Sequence, residues 1–318
     1  RGRTEQWPFW QPAFPARRED MTYEEAVAGT QQRLIRSVEL RLRADVPIAF
    51  SLSGGIDSPA LIAIAKRKLG YDVHGFTIMN TDARYEERDM VELVVREIGV
   101  RHTKIPVDTT DFLPNLRELV RYHDAPIHTI TYYAQWKVME AVKAAGYKVA
   151  VSGTGADELF SGYYDHHNAY LAAMAAEDPA RHAAALSEWR THVSPIVRNP
   201  FLQDPEYFVR HPYARDHIYL DADAFAGMLV RPWSEPFDER FYTTPMLRNR
   251  MANEMFHESV PVILHEDDLN AMYYSVENRS PYLDTDLFDW SQQIPTRHLV
   301  RNGRAKAVLR DAVRGLVP

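Results

Sequence analysis

Residues 46–60 read "VPIAFSLSGGIDSPA", and this stretch limits the fold more tightly than any other. The five-residue apolar run suits a buried strand. It passes through Ser53, Gly54, Gly55, Asp57 and Ser58 directly into a helix signal, with Pro59 near its start and Gly70 past its end. Proline is tolerated in a first turn, where its missing N–H has no partner anyway. Glycine is favoured in the left-handed residue that closes a helix. Gly54 and Gly55 therefore lie in a loop feeding a helix N-terminus. Free N–H groups and the helix dipole favour an anion there, most often phosphate, and bare glycines let phosphate oxygens reach the backbone. Ser53 and Ser58 add hydroxyl donors. Asp57 is out of place beside an anion unless a cation bridges them. Mg2+ is the natural bridge, since one or two carboxylates plus substrate phosphates usually hold it. The G-K-[ST] ending of a Walker A loop is absent.

Strand and helix signals alternate on both sides of this loop. "MTYEEAVAGTQQRLIRSVELRLRAD" opens with a capping box, Thr22 with Glu25, and reads as a long helix. Helix 59–69, strand "VHGFTIM" and a helix near 86–98 follow. Strand "HTKIPVD", helical stretches near 110–122 and 130–145, and strand "KVAVS" complete the series. That order predicts an α/β fold, a doubly wound parallel sheet with helices on both faces, whose ligands bind beyond the carboxyl ends of the strands. Residues 1–20, rich in proline and aromatics, read as an arm or linker, and 21–160 as the α/β domain. Beyond residue 160 the strand signal fades, "HNAYLAAMAAEDPARHAAALSEWRTHV" reads as helix, and 161–318 is expected to be mostly helical.

A second glycine-bearing turn follows strand "KVAVS", in "VSGTGADELFSGYYDHH". Gly153 and Gly155 again suit close approach of backbone to a ligand. Asp157 could supply a second carboxylate to the ion held by Asp57, or Asp157 and Glu158 could simply favour a helix start. His166 and His167 are adjacent and so do not share the i, i+4 helix face that suits chelation. They read as surface or supporting residues. "HEDD" at 265–268 likewise reads as a solvated helix start.

The net charge of −7 speaks against a nucleic-acid surface. No apolar run approaches membrane-spanning length. With no cysteine, the chain has no disulfide, thiolate metal site or cysteine nucleophile. No signal peptide is visible, although the chain opens "RGRTEQ" without methionine, and a cytoplasmic location is expected.

The first loop resembles the PP-loop of the ATP pyrophosphatases. Four motifs, "LRLRADVPIAFSLSGGIDSPALIA", "SGTGADELFSGYY", "MYYSVENRSPYLD" and "RAKAVLRDAVRGLVP", stand in the order found in the synthetase domain of glutamine-dependent asparagine synthetases. The likeness covers about residues 22–318. It implies a PP-loop α/β domain with an appended helical part, ATP and Mg2+, an acyl-adenylate and ammonia as the attacking amine. It assigns Ser53, Gly54, Gly55, Asp57, Ser58 and Gly153 to the nucleotide, Asp57 and Asp157 to Mg2+, and Phe76 to Met79 to the strand beside adenine. Lys306 matches the lysine thought to stabilise charge at the adenylation centre. That role is physically apt, because adenylation builds negative charge on the α-phosphate. Glu277 and Arg279 could form a structural ion pair or shape the substrate pocket. A homodimer is a further expectation.

Three departures from that family bear on function. The amidotransferase half with its N-terminal cysteine is absent from this sequence, so ammonia is expected from a glutaminase domain or partner. The chain stops at "LVP", where relatives continue into a basic segment. Thr154 stands where asparagine synthetases usually carry glutamate, in S-G-E-G. A threonine cannot pair with an ammonium group, which points toward an acid such as a sugar uronate, whereas a threonine that only caps the turn leaves aspartate as the acid. Three readings follow: a ligase turning a small-molecule carboxylate into an amide, an adenylating cyclase of the β-lactam or lasso-peptide type, and a non-catalytic nucleotide-binding subunit.

Overall fold

Thr22 accepts a hydrogen bond from the Glu25 amide, and the Glu25 carboxylate accepts one from the Thr22 amide, so helix α1 (Tyr23–Arg41) starts where the capping box puts it. Its buried residues Ala26, Thr30, Leu34, Ser37 and Val38 recur every three or four positions, as one helix face against a core must. The computed structural model describes residues 4–79, 87–106, 110–219, 221–232, 235 and 237–318.

Among the described residues five strands form one sheet: β1 (Ile48–Ser51), β2 (His74–Met79), β3 (Arg101–Pro106), β4 (Val149–Val151) and β5 (Glu277–Arg279). Their order is β3-β2-β1-β4-β5, and all four pairings are parallel. β1 and β4 are almost wholly buried, as strands covered on both faces require. The helices threaded between them are α2 (Asp57–Ala63), α3 (Arg88–Ile98), α4 (Phe112–His123) and α5 (Ile130–Ala144). The end of the expected strand "HTKIPVD", residues 107 and 108, lies outside the described residues.

The fifth strand is missing from the sequence reading. Its residues Glu277, Asn278 and Arg279 are polar and too few for an alternating pattern. They become a strand because β4 offers them a ladder, with Val149 opposite Glu277 and Val151 opposite Arg279.

Beyond β4 the described residues form helices joined by loops, apart from β5. α6 (Ala156–Phe160) follows the second loop. The long stretch expected as helix is two helices, α7 (Tyr164–Glu177) and α8 (Pro179–His192). They part at Asp178, whose side chain caps the Arg181 amide, with Pro179 in the first turn. Short helices α9 (Tyr207–Arg210), α10 (Asp216–Tyr219) and α11 (Ala222–Gly227) lead to α12 (Met246–Asn253) and α13 (Val260–Tyr273). α14 (Thr285–Gln293) and α15 (Ala307–Ala312) complete the set. The largest apolar core runs from Met21 to Leu316 and joins β1 and α2 to α7, α12 and α14. Residues 4–20 carry no helix or strand, yet Phe14 packs edge-on against Phe256 and Phe288. Among the described residues, no helix is long and apolar enough to cross a membrane.

Candidate active site

β1 and β4 are hydrogen-bonded neighbours, with Ala49 opposite Ala150. The glycine turns at their carboxyl ends therefore leave the sheet about 5 Å apart, although some 100 residues separate them in the chain. A Cβ on Gly153 would lie 3.1 Å from that of Asp57, so the two turns touch. Above them a cavity of about 300 Å³ is lined by Ser53, Asp57 and Ser58 on one side and Ser152, Gly153 and Thr154 on another. Phe76 and Ile78 from β2 and Val138 and Met139 from α5 make an apolar end, with Gln135 beside them.

The first loop is ordered by its own hydroxyls. Ser58 Oγ accepts a hydrogen bond from the Ser53 amide at 2.9 Å and lies 3.1 Å from Ser53 Oγ. The Gly54 amide donates to the Glu87 carboxylate at 2.7 Å, so this N–H is already turned toward an anion. A side chain at Gly54 would strike Glu87, whereas Gly55 meets nothing closer than 3.6 Å. Tyr282, fully buried, donates to the Asp57 carbonyl at 3.0 Å and ties α2 to the segment after β5.

Lys306 joins both turns. Its Nζ donates to Asp57 Oδ2 at 2.6 Å and lies 2.8 Å from Asp157 Oδ1, and the residue is 7% exposed. Asp57 is pushed above the ordinary carboxylate range by burial, an effect that Lys306 opposes and Asp157 reinforces. Its second oxygen, Oδ1, is buried and has no hydrogen-bond partner. Two converging carboxylates, one with a spare oxygen, are a donor set suited to a hard cation such as Mg2+. Gly162 keeps the centre closed, since a Cβ there would fall 1.8 Å from Asp157 Oδ1 and 2.1 Å from Lys306 Cε. Lys306 itself has φ of 55° at the N-cap of α15, an uncommon conformation for a side-chain-bearing residue.

Other expected site residues fall elsewhere. Met79 is not among the residues lining the cavity. Side chains alternate along a strand, so Phe76 and Ile78 point one way and Met79 the other. Glu277 also stays outside. It is exposed on β5 and paired with Arg279 at 2.8 Å, and the two residues line a separate cavity beside Arg41 and Leu283. Between them, Asn278 lines the cavity above the glycine turns.

Burial decides between the two roles left open for His166 and overturns the expectation for "HEDD". His166 is not on the surface but fully buried, its Nε2 2.8 Å from Glu254. Burial lowers its proton affinity, but Glu254 and Asp165 outweigh that and raise it to about 9. Asp165, His166 and Glu254 bring possible ligand atoms within 4.8 Å of one another. Arg250 Nη1 lies 3.5 Å from Asp165 and, with protonated His166, already balances the charge. "HEDD" is not a helix start either. It sits inside α13, with Glu266 and Asp267 both buried. Glu266 lies 3.1 Å from His123 Nδ1 and 2.6 Å from His128 Nδ1. Asp267 lines the cavity and accepts from Thr154 Oγ1 at 3.4 Å. Burial raises it to about 7. Its signal in the sequence was the spacing of Glu266, Asp267 and Asn270, which repeats at the interval of a buried helix face.

The Asparagine synthase family model matches residues 29–318. A glutamine-hydrolyzing asparagine synthetase of Bacillus subtilis is 24% identical over 308 residues, covering 93% of this chain and 48% of that protein. Amidase chyE of Penicillium rubens is 30% identical and amidase chry2 of Gibberella zeae 22% identical, each covering 99% of this chain and 54% of the relative. The chain spans about half the length of the curated relatives it matches. With that family match running from residue 29 to residue 318, the chain belongs to the asparagine synthase family.

Proposed function

We propose that the chain is an ATP-dependent carbon–nitrogen ligase that adenylates a carboxylic acid, releases pyrophosphate and forms an amide with ammonia. The observation that carries this reading is Lys306 Nζ within 2.8 Å of both Asp57 and Asp157, beside a loop whose Gly54 amide already holds a carboxylate. The apolar end formed by Phe76, Ile78, Val138 and Met139 suits adenine. Ser53, Gly54, Gly55, Ser58 and Gly153 hold the phosphates that leave. A substrate carboxylate oxygen attacks the α-phosphorus, and the bond to the bridging oxygen of pyrophosphate breaks. Lys306 stabilises the charge that gathers there, a contribution of roughly 10²–10³-fold in rate for one preorganised donor. Asp57 and Asp157 would hold Mg2+, which when bound neutralises phosphate charge.

Ammonia reaches the site from solution or from a glutaminase domain or partner. The acid is a small carboxylate. Thr154 has no charge to pair with an ammonium group and favours an acid without one, while a threonine that only caps the turn leaves aspartate as the acid. Aspartate and sugar uronates therefore both belong in the test.

That test is pyrophosphate release from ATP over a panel of carboxylates including aspartate and uronates, with ammonium present or withheld. The expected result is Mg2+-dependent release with a selected acid and an amide formed only with ammonium. Ring closure without ammonium would make the chain a cyclase. Absence of release with every acid would leave a nucleotide-binding subunit and overturn the ligase reading.

A further inference from the structure

Amide formation leaves a problem that the phosphate centre does not solve. When neutral ammonia attacks the activated carboxyl carbon, the nitrogen becomes positive and must lose a proton. Asp57 and Asp157 are poor acceptors because both are already bound to the Lys306 ammonium. Glu266 is shared between His123 and His128. Asp267 differs from all three. It lines the cavity, is 5% exposed and, among the described residues, forms no ion pair with a cation.

Its placement is built from below. α13 turns a polar stripe inward, and each member other than Asp267 is fastened. Glu266 meets the two histidines. The Asn270 amide donates to the Tyr132 carbonyl at 3.0 Å, and its oxygen lies 3.2 Å from His123 Nε2. These contacts join α13 to the end of α4 and the start of α5, fixing the helix rotation that directs Asp267 into the cavity. Thr154 Oγ1 at 3.4 Å holds one carboxylate oxygen from the β4 side. Burial brings the carboxyl to about 7, where a base can take a proton and give it up again near neutrality.

We infer that Asp267 is the proton acceptor for the nitrogen nucleophile. The inference rests on the ligase reading above. As the C–N bond forms, the bond from carbon to the phosphate oxygen of AMP breaks and AMP leaves with that electron pair. The proton on nitrogen passes to the Asp267 carboxylate, leaving a neutral amide.

The experiment uses Asp267→Asn, which keeps size and shape. ATP–pyrophosphate exchange and amide formation are measured for the whole chain with the panel acids and ammonium. Exchange is expected to stay within about threefold of wild type, which also reports a folded nucleotide site. Amide formation should fall by about 10²–10⁴-fold, the usual contribution of a positioned acid or base. Asp267→Glu should recover part of that loss. Normal amide formation in Asp267→Asn would overturn the assignment while leaving the ligase reading intact. Loss of exchange together with amide formation would also overturn it, since Asp267 would then serve acid binding or the fold. Failure of wild type to exchange with any acid would bring down the ligase reading, and this assignment with it.

Discussion

Lys306 and Asp57 are 249 positions apart in the chain, yet Nζ and Oδ2 are 2.6 Å apart in the fold. Lys306→Ala leaves Asp57 and Asp157 without the cation they share. Pyrophosphate release should drop by roughly 10²–10³-fold. ATP affinity should fall much less, because the ammonium acts on charge that develops in the transition state. Single-turnover pyrophosphate release and ATP titration separate the two. Collapse of ATP affinity with unchanged saturated turnover would make Lys306 a ground-state phosphate ligand.

Asp57→Asn keeps the hydrogen-bonding shape and removes the charge. Mg2+-dependent pyrophosphate release should be abolished while the circular dichroism spectrum is unchanged. Release near the wild-type rate by the folded variant would refute the assignment of Asp57 to the ion.

Gly162→Ala tests how closely the centre is packed. The added methyl meets Asp157 Oδ1 at 1.8 Å and Lys306 Cε at 2.1 Å, so one of them must move. Overpacking of this kind costs about 1–3 kcal/mol of stability. A displacement of about 1 Å at a reacting centre costs on the order of 10²-fold in rate. Denaturant unfolding and pyrophosphate release measure each effect, and an unaltered rate would show that the contact is relieved without disturbing Lys306.

Nitrogen delivery follows from composition. Without cysteine the chain lacks the thiol route to glutamine hydrolysis, so free ammonium should support amide formation and glutamine should not. Release of glutamate from glutamine by the purified chain would contradict this.

The buried pair His166 and Glu254 should make stability depend on pH. His166 is raised from 6.5 to about 9, so its contribution is complete below about pH 6.5 and is lost as pH rises through 9. Glu254, raised by burial to about 7, acts in the same direction over a lower range. Tm should therefore fall by several degrees between neutral and alkaline pH. His166→Gln should flatten that slope, and an equally steep slope in the variant would assign it to other groups.

Legibility in the sequence followed the apolar pattern. β1, β2 and β4 are short apolar runs between helix signals, and the loop after β1 announces its chemistry through glycines and hydroxyls. β5 has no such pattern, because three polar residues acquire their strand from β4. His166 stayed open between surface and supporting roles, since α7 is buried on most sides, including Asn168 and Tyr170, and shows no clear polar face. Asp267 was misread for a related reason. A buried acid inside a helix looks like a solvated one until the contacts of Glu266 and Asn270 are known. Lys306 had no local signature and was reached through family resemblance alone.

The cavity has two ends of different construction. At the phosphate end, Gly162, Asp157, Lys306, Asp57 and Tyr282 constrain one another, so few single changes there can be neutral. At the other end, the residues facing the acid are Thr154 and one turn of α13, a helix fastened mainly through different positions on the same stripe. Divergence can therefore proceed unequally. A lineage can exchange Thr154 and change which acid it accepts, while the adenylating apparatus is inherited unaltered.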